Sequence, residues 1–260
     1  MKDFLKNCCK YWNFCRYSAR CQLDGEVIGM RLGWLWWLLE PALTMSVYSF
    51  VFTVVFGRNM TYLMAYISSG VMMWGFFQRS VLGSVGLVKR YSGLLNRIYM
   101  PKYILVISSL MLNAFKMLIA FLIVAFFLAF YQVPLQLTML QFIPVLMVLM
   151  VFTFGVSTWL MHFGVYLPDI RKVVSVLLQV VFYISGVFYE LNDRLGDGVG
   201  TILRNYNPVA RLMYEGRNVL LYGQNASVGG LCFWLAVGLI LSVTGVALVT
   251  RYERDYLKVI

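Results

Sequence analysis

Charge is what this sequence has least of. Only 13% of its 260 residues are Asp, Glu, Lys or Arg, about half the share of a soluble domain, while 61% are hydrophobic. The mean hydropathy of +0.75 excludes an ordinary soluble protein, and the apolar excess excludes a disordered chain. Histidine occurs once, at His162, which removes histidine-pair metal sites and multi-histidine relays. No G-x-x-x-x-G-K-[ST] phosphate loop is present, so the chain has no cradle with which to hydrolyse ATP by itself. Its apolar segments carry no series of Asp and Glu, which argues against a proton- or sodium-coupled secondary transporter. Four of the five cysteines (Cys8, Cys9, Cys15, Cys21, with Cys232 apart) crowd the N-terminal stretch without zinc-ligand spacing and read as free thiols facing a reducing cytosol. Lys2 to Leu39 lacks an apolar run followed by a small-residue cleavage site, so the N-terminal stretch reads as retained.

What is present is a set of long apolar runs. A hydrocarbon core of about 30 Å needs about 20 apolar residues at 1.5 Å each. Six runs are drawn against that need: Pro41 to Gly57 with Trp34 to Leu39 leading in, Tyr62 to Val88, Tyr103 to Tyr131, Leu137 to Tyr166, Val173 to Tyr189, and Gly230 to Thr250. The fold class expected is an all-α membrane protein with six transmembrane helices per protomer. An even number of crossings puts both termini on one side, and the basic residues choose which. Most of the 22 Lys and Arg fall on the side of the termini, against Arg58, Arg194, Arg204, Arg211 and Arg217 on the other. Both termini are therefore read as cytoplasmic. The net charge of +11 is topological in this reading, because no basic run with interleaved aromatics exists to meet a nucleic acid.

Residues 1–33 form an N-terminal segment distinct from the membrane domain of 34–260. Within it Asp3 to Leu23 is too polar to cross, yet Phe4, Cys8, Trp12, Cys15, Ala19 and Leu23 share one helical face opposite Lys2, Lys6, Lys10, Arg16 and Arg20. This predicts an amphipathic helix lying in the membrane interface. Trp34, Trp36 and Trp37 follow, suited to the headgroup layer, and Glu40-Pro41 reads as a helix start. Between the fifth and sixth runs, Glu190 to Gly229 holds two apolar clusters, Val199 to Leu203 and Val209 to Leu221. Asn207-Pro208 separates them, because proline ends a helix at the residue before it. Two short re-entrant helices are expected there, tolerated at membrane depth only where protein or a cavity covers them.

Charged residues inside apolar runs cost roughly 2.5–3.5 kcal/mol at a helix centre, so Arg79 and Lys116 are candidates either for a wet cavity or for structural pairing. Tyr48, Phe52 and Phe56 lie four residues apart on the first run, and Tyr183 and Tyr189 on the fifth. Such rings guide sugars weakly enough for passage, or pack against lipid and neighbouring helices. A membrane-embedded enzyme of lipid-linked sugars would need converging acids or histidines, and only Asp169, His162 and Glu40 are on offer, in separate segments.

The segments L-G-W-L-W-W-L-L-E-P (Leu32 to Pro41), Y-I-S-S-G-V-M-M-W-G-F-F (Tyr66 to Phe77), L-L-N-R-I-Y-M-P-K (Leu94 to Lys102), L-P-D-I-R-K (Leu167 to Lys172), I-S-G-V-F-Y (Ile184 to Tyr189) and N-P-V-A-R (Asn207 to Arg211) together resemble one family. It is the membrane permease subunit of polysaccharide-exporting ABC transporters, the type 2 exporters of O antigens, capsules and teichoic acids. The resemblance implies a homodimer in a bacterial inner membrane, joined to two separate ATPase subunits that hold ATP and Mg while this chain binds no cofactor or metal of its own. It implies no catalytic residue here, and a substrate carried on a lipid. It places an ATPase-coupling helix in the loop bearing Lys89, Arg90, Arg97, Pro101 and Lys102. It puts the cytoplasmic gate at Trp34, Trp36, Trp37 and Glu40, with Leu167 to Lys172 as a second cytoplasmic contact. The path between protomers would run by Tyr48, Phe52, Phe56, Arg79, Tyr183 and Tyr189. An exporter of drugs or lipo-oligosaccharides is the alternative within the same class.

Overall fold

A computed structural model describes residues 2–28, 33–55, 62–167 and 169–259. Among them there is no strand, and the helices are α1 (Lys2–Lys10), α2 (Trp12–Val27), α3 (Trp36–Phe50), α4 (Leu63–Ser84), α5 (Leu87–Arg90), α6 (Ser92–Leu95), α7 (Tyr103–Phe130), α8 (Phe142–Tyr166), α9 (Ile170–Ile184), α10 (Leu191–Tyr206), α11 (Pro208–Leu221) and α12 (Val228–Val259). Among the described residues, four stretches are long and apolar enough to cross a membrane: Trp36–Val54, Tyr103–Phe130, Leu137–Tyr166 and Val228–Glu253. The chain is thus an all-helical, multi-pass membrane protein. The expected second and fifth crossings fall on α4 and α9, which do not meet that measure. α9 has 15 residues, about 22 Å at 1.5 Å per residue. α4 is longer but diluted by Ser68, Ser69, Gly70, Gly75, Gln78, Arg79, Ser80, Gly83 and Ser84.

That dilution has a packing reason. α4 is the buried centre of the bundle, and between helices in lipid the driving force is close packing rather than expulsion of water. Ser68, Ser69 and Ser84 return their hydroxyls to carbonyls three residues back, and Asn113 of α7 donates to Ser80 Oγ at 3.1 Å. Small residues also close α8 onto α12. Gly155 lies against the backbone of Leu241 and Ser242, Gly238 against that of Phe152, and Ser242 donates to the Val151 carbonyl at 3.1 Å. The outer face of α7 presents Leu118, Leu122, Phe126 and Phe130 at four-residue spacing, a stripe suited to lipid.

A second core gathers at one end of the bundle, where α7 begins and α8 and α12 end: Cys15, Leu87, Leu95, Met100, Tyr103, Ile104, Met161, Val249 and Tyr256. The N-terminal segment packs onto this core, as two helices rather than one. The helix breaks at Tyr11 (φ −97°, ψ 11°), and its apolar face is covered by protein. Cys15 and Ala19 are buried, and Phe4, Cys8 and Phe14 pack beside them, while Trp12 is half exposed. α2 runs alongside α7 in the same direction. Cys15 Sγ lies 3.9 Å from the Ile104 carbonyl, and Glu26 meets Lys116 twelve residues further along α7.

The first apolar run is also longer at its start than Glu40-Pro41 suggests. α3 begins at Trp36, after a 3-10 turn over Gly33–Leu35, so Pro41 sits inside the helix. It withholds one N–H from the ladder there, the bond that residue 41 would give to the Trp37 carbonyl. The segment from Glu190 to Gly229 is helical on both sides of Asn207-Pro208, but α10 is itself kinked at Gly196 (φ 73°, ψ 164°), so it is not the simple pair of helices expected. Asn207 Oδ1 accepts from the N–H groups of Val209 and Ala210 and Pro208 takes the first helical position, so the proline that stops α10 also starts α11.

Candidate functional site

A cavity of about 670 Å³ lies among α3, α4, α7 and α9. It gathers residues that the sequence offered for two separate roles. Trp36, Trp37 and Glu40, expected at the gate, share it with Tyr48, Arg79 and Tyr183, expected along the path. Trp74, Gln78, Gln179 and Phe182 complete a wall of rings and amides, surfaces that contact sugar rings and hydroxyls. Phe56 and Arg31 lie outside the described residues, as does the side chain of Trp34. Phe52 stacks on Phe188 with centroids 4.9 Å apart, and Tyr189 donates to the Tyr183 carbonyl at 2.5 Å, so neither is part of the cavity wall.

The two cations that the sequence places inside apolar runs resolve differently. Lys116 is ion-paired with Glu26 at 2.6 Å, the end of α2 supplying its counter-charge. Arg79 extends back over Gly75 of its own helix and, among the described residues, forms no ion pair, although Glu26 and Glu40 line the same cavity.

The loop between α4 and α7 is short helices held from three sides. Lys89, Arg90 and Arg97 are exposed, whereas Pro101 and Lys102 are buried, with Lys102 Nζ 5.3 Å from the centre of the Tyr99 ring. Tyr99 donates its hydroxyl to Glu253 of α12. From the N-terminal helices, Tyr11 donates to the Tyr99 carbonyl at 3.3 Å, Asn7 to the Tyr103 hydroxyl at 3.0 Å, and the hydroxyls of Ser18 and Tyr91 lie 3.2 Å apart. The segment after α8 is open by contrast: Leu167 is exposed and Asp169 pairs with Lys172 at the surface, 3.3 Å apart.

A polar corner that the sequence did not single out lies at the other end of α4. Arg217 of α11 is buried and donates to the carbonyls of Gly186 at 2.9 Å and Val187 at 2.7 Å, with its guanidinium 3.5 Å over the Tyr66 ring. Gly70 leaves the room it occupies, since a Cβ there would collide with the guanidinium. Asn207 donates to Ser185 Oγ at 2.8 Å. The I-S-G-V-F-Y and N-P-V-A-R segments are thereby joined through residues 22 positions apart. Positive φ at Gly186 (65°) turns the chain so that successive carbonyls face Arg217. Arg211 and Glu215, one helical turn apart, pair at 2.7 Å on the same helix. That i, i+4 spacing was the signal available in the sequence.

The three residues considered for enzyme chemistry are not brought together. Asp169 is at the surface, Glu40 is in the cavity, and His162 Nδ1 lies 2.6 Å from the Tyr256 hydroxyl in the second core.

No family model matches the chain. It is similar to two O-antigen export system permease proteins RfbA of Klebsiella pneumoniae, at 22% identity over 231 residues (88% of each chain) and 21% over 229 residues (88% of this chain, 87% of the relative). It is also similar to the O-antigen export system permease protein RfbA of Myxococcus xanthus, at 28% over 193 residues, 74% of each chain. The chain resembles permeases of polysaccharide export over most of its length. The six motifs quoted above point to that same class.

Proposed function

We propose that this chain is the transmembrane permease subunit of an ATP-driven exporter that moves a lipid-linked polysaccharide (O antigen, capsule or teichoic acid) across a bacterial inner membrane. The observation that carries this reading is the similarity to O-antigen export permeases over 88% of the chain. In this reading six crossings, α3, α4, α7, α8, α9 and α12, leave both termini in the cytoplasm, and α10 and α11 form a re-entrant pair at the outer side. Two copies join with two ATPase subunits, which bind ATP and Mg. The exposed charges of Lys89, Arg90 and Arg97 dock on the ATPase while Pro101 and Lys102 set the loop from within.

Two features support the assignment of roles. The loop is gripped by α1, α2 and α12, so a push on it is shared with both ends of the chain. The cavity combines aromatic rings with amides and one unpaired guanidinium, a surface on which a polar chain slides without being trapped. The test is a pull-down of the tagged chain from its native membrane, with an ATPase assay on the eluate. A stoichiometric ATPase partner whose hydrolysis uncouples from export on Lys89→Ala/Arg90→Ala/Arg97→Ala supports the reading. Full export after the whole loop is replaced by Gly and Ser overturns it.

A further inference from the structure

We infer that Glu253 is the positioning residue that ties the loop between α4 and α7 to α12, the Tyr99 hydroxyl on its carboxylate carrying a push on the loop into α12 and α8. The inference rests on the permease reading and adds to it the contact by which the loop engages the other end of the chain. Along the main chain the loop has a stiff outlet on one side only. Pro101 and Lys102 lead straight into α7. On the other side α4 ends at Ser84, and α5 and α6 follow with four residues each, the backbone leaving helical values at Gly86 (φ −107°, ψ 11°) and Tyr91 (φ −100°, ψ 11°). α12 is reached by a side chain instead. Tyr99 is exposed, yet its hydroxyl donates to Glu253, whose residue is only 6% exposed. Glu253 Oε2 is buried and has no hydrogen-bond partner among the described residues. A buried carboxylate that depends on one donor is stranded when the donor leaves, so the contact is made or broken rather than stretched. Lys102, buried at the N-cap of α7, holds its Nζ 5.3 Å from the centre of the same ring, so one ring joins the start of α7 to α12.

Beyond Glu253 the path is stiff. Tyr256, three residues on and so on the same face of α12, is buried, and its hydroxyl lies 2.6 Å from His162 Nδ1 of α8. Further along, Gly155 and Gly238 bring the two backbones together, and Trp159 Nε1 donates to the Leu241 carbonyl at 3.2 Å. Helices packed this closely transmit strain and respond as one body.

The test uses the full chain purified with its ATPase partner, reading hydrolysis in proteoliposomes and polysaccharide at the surface of cells that carry the same variant at equal abundance. Tyr99→Phe keeps the ring beside Lys102 and removes only the donor. Export is expected to fall about tenfold, the scale of one charge-assisted hydrogen bond, while hydrolysis stays within about twofold of the parent. Glu253→Ala is expected to do the same, whereas Glu253→Gln, which keeps an oxygen for the hydroxyl, should export within about threefold of the parent. Tyr99→Phe/Glu253→Ala should export no less than the weaker single variant, because both changes remove one contact. Tyr99→Phe exporting like the parent overturns the link. So does hydrolysis falling in step with export, the mark of a merely structural contact, or Glu253→Gln losing as much as Glu253→Ala. Should Glu253→Ala fail to accumulate, Tyr99→Phe against Glu253→Gln still decides. In each of these failures the permease reading stands; it falls if no ATPase accompanies the chain.

Discussion

Two arginines lie against α4, and their surroundings are opposite. Arg217 comes to it from α11 at Tyr66 and Gly70, gives its donors to two carbonyls and covers its face with a ring. Arg79 belongs to α4, folds over Gly75 and looks into a cavity of about 670 Å³. Arg217 is buried, and the protein itself offsets the desolvation of its guanidinium, whereas Arg79 is exposed to the cavity and keeps water or a ligand as its partner. Burial of charge alone therefore does not mark a site; unspent hydrogen-bonding capacity facing open space does.

The largest effect should come from breaking the closed corner. Arg217→Ala strands the Gly186 and Val187 carbonyls, and is expected to lower stability by about 3 kcal/mol or more in denaturant titrations of the detergent-solubilised chain. Arg217→Lys should rescue little, because a single ammonium does not span two carbonyls while stacking on Tyr66. Gly70→Val tests the corner from the other side, since its side chain would enter the space of the guanidinium; stability like that of the parent would mean that the corner is not closed.

Arg79→Ala should behave the other way round. With no ion pair to lose, its stability is expected to stay within about 1 kcal/mol of the parent, as for a surface charge. Export in cells, read as polysaccharide at the surface, should fall at least about tenfold, the scale of one lost charge-assisted contact. A large stability loss with normal export would erase the distinction between the two arginines.

How far the sequence reached follows the same division. Features set by local chemistry were legible: four of the six apolar runs as helices long enough to cross a membrane, and the break at Asn207-Pro208. Trp36, Trp37, Glu40, Tyr48, Arg79 and Tyr183, chosen for their residue types, line one cavity. Features set by tertiary partners were not. Arg217 counted as an outer-loop charge because its acceptors are carbonyls thirty residues away, with no side-chain signature. The face of α1 and α2 had the right residues at Cys15 and Ala19, but periodicity says only that a face is apolar, not whether lipid or α7 covers it. Pro41 at a helix start was a sound local expectation, overridden where the tryptophans before it extend the helix.

Asn207 refines the comparison from within the closed corner, with a smaller effect. Its oxygen caps α11 and its nitrogen reaches Ser185, so Asn207→Ala is expected to cost about 1–2 kcal/mol. Asn207→Asp keeps the cap but loses the donor, and should fall between the parent and Asn207→Ala. If Asp and Ala are alike, the link to Ser185 rather than the cap holds the two motifs together.

The smallest effect tests whether a single helix can have one end in each kind of surrounding. α2 is packed at Cys15 and bears a partly exposed ion pair at Glu26. Burial, with the neighbouring Cys8 adding to it, pushes the Cys15 thiol up from 9.0 to about 11. At pH 8 the thiol is then almost wholly protonated and covered, so maleimide should label the exposed Cys9 and Cys21 and leave Cys15 unmodified over the same minutes. A thiol whose pKa is raised by folding favours the folded chain fully below pH 9, and that contribution is lost as pH rises from about 9 to 11, because only the unfolded chain ionises easily. Cys15→Ala should flatten that part of the stability profile, while Glu26→Gln should leave it unchanged. Cys15 labelled as fast as Cys21 would mean that α2 opens along its whole length, and that its two ends do not differ.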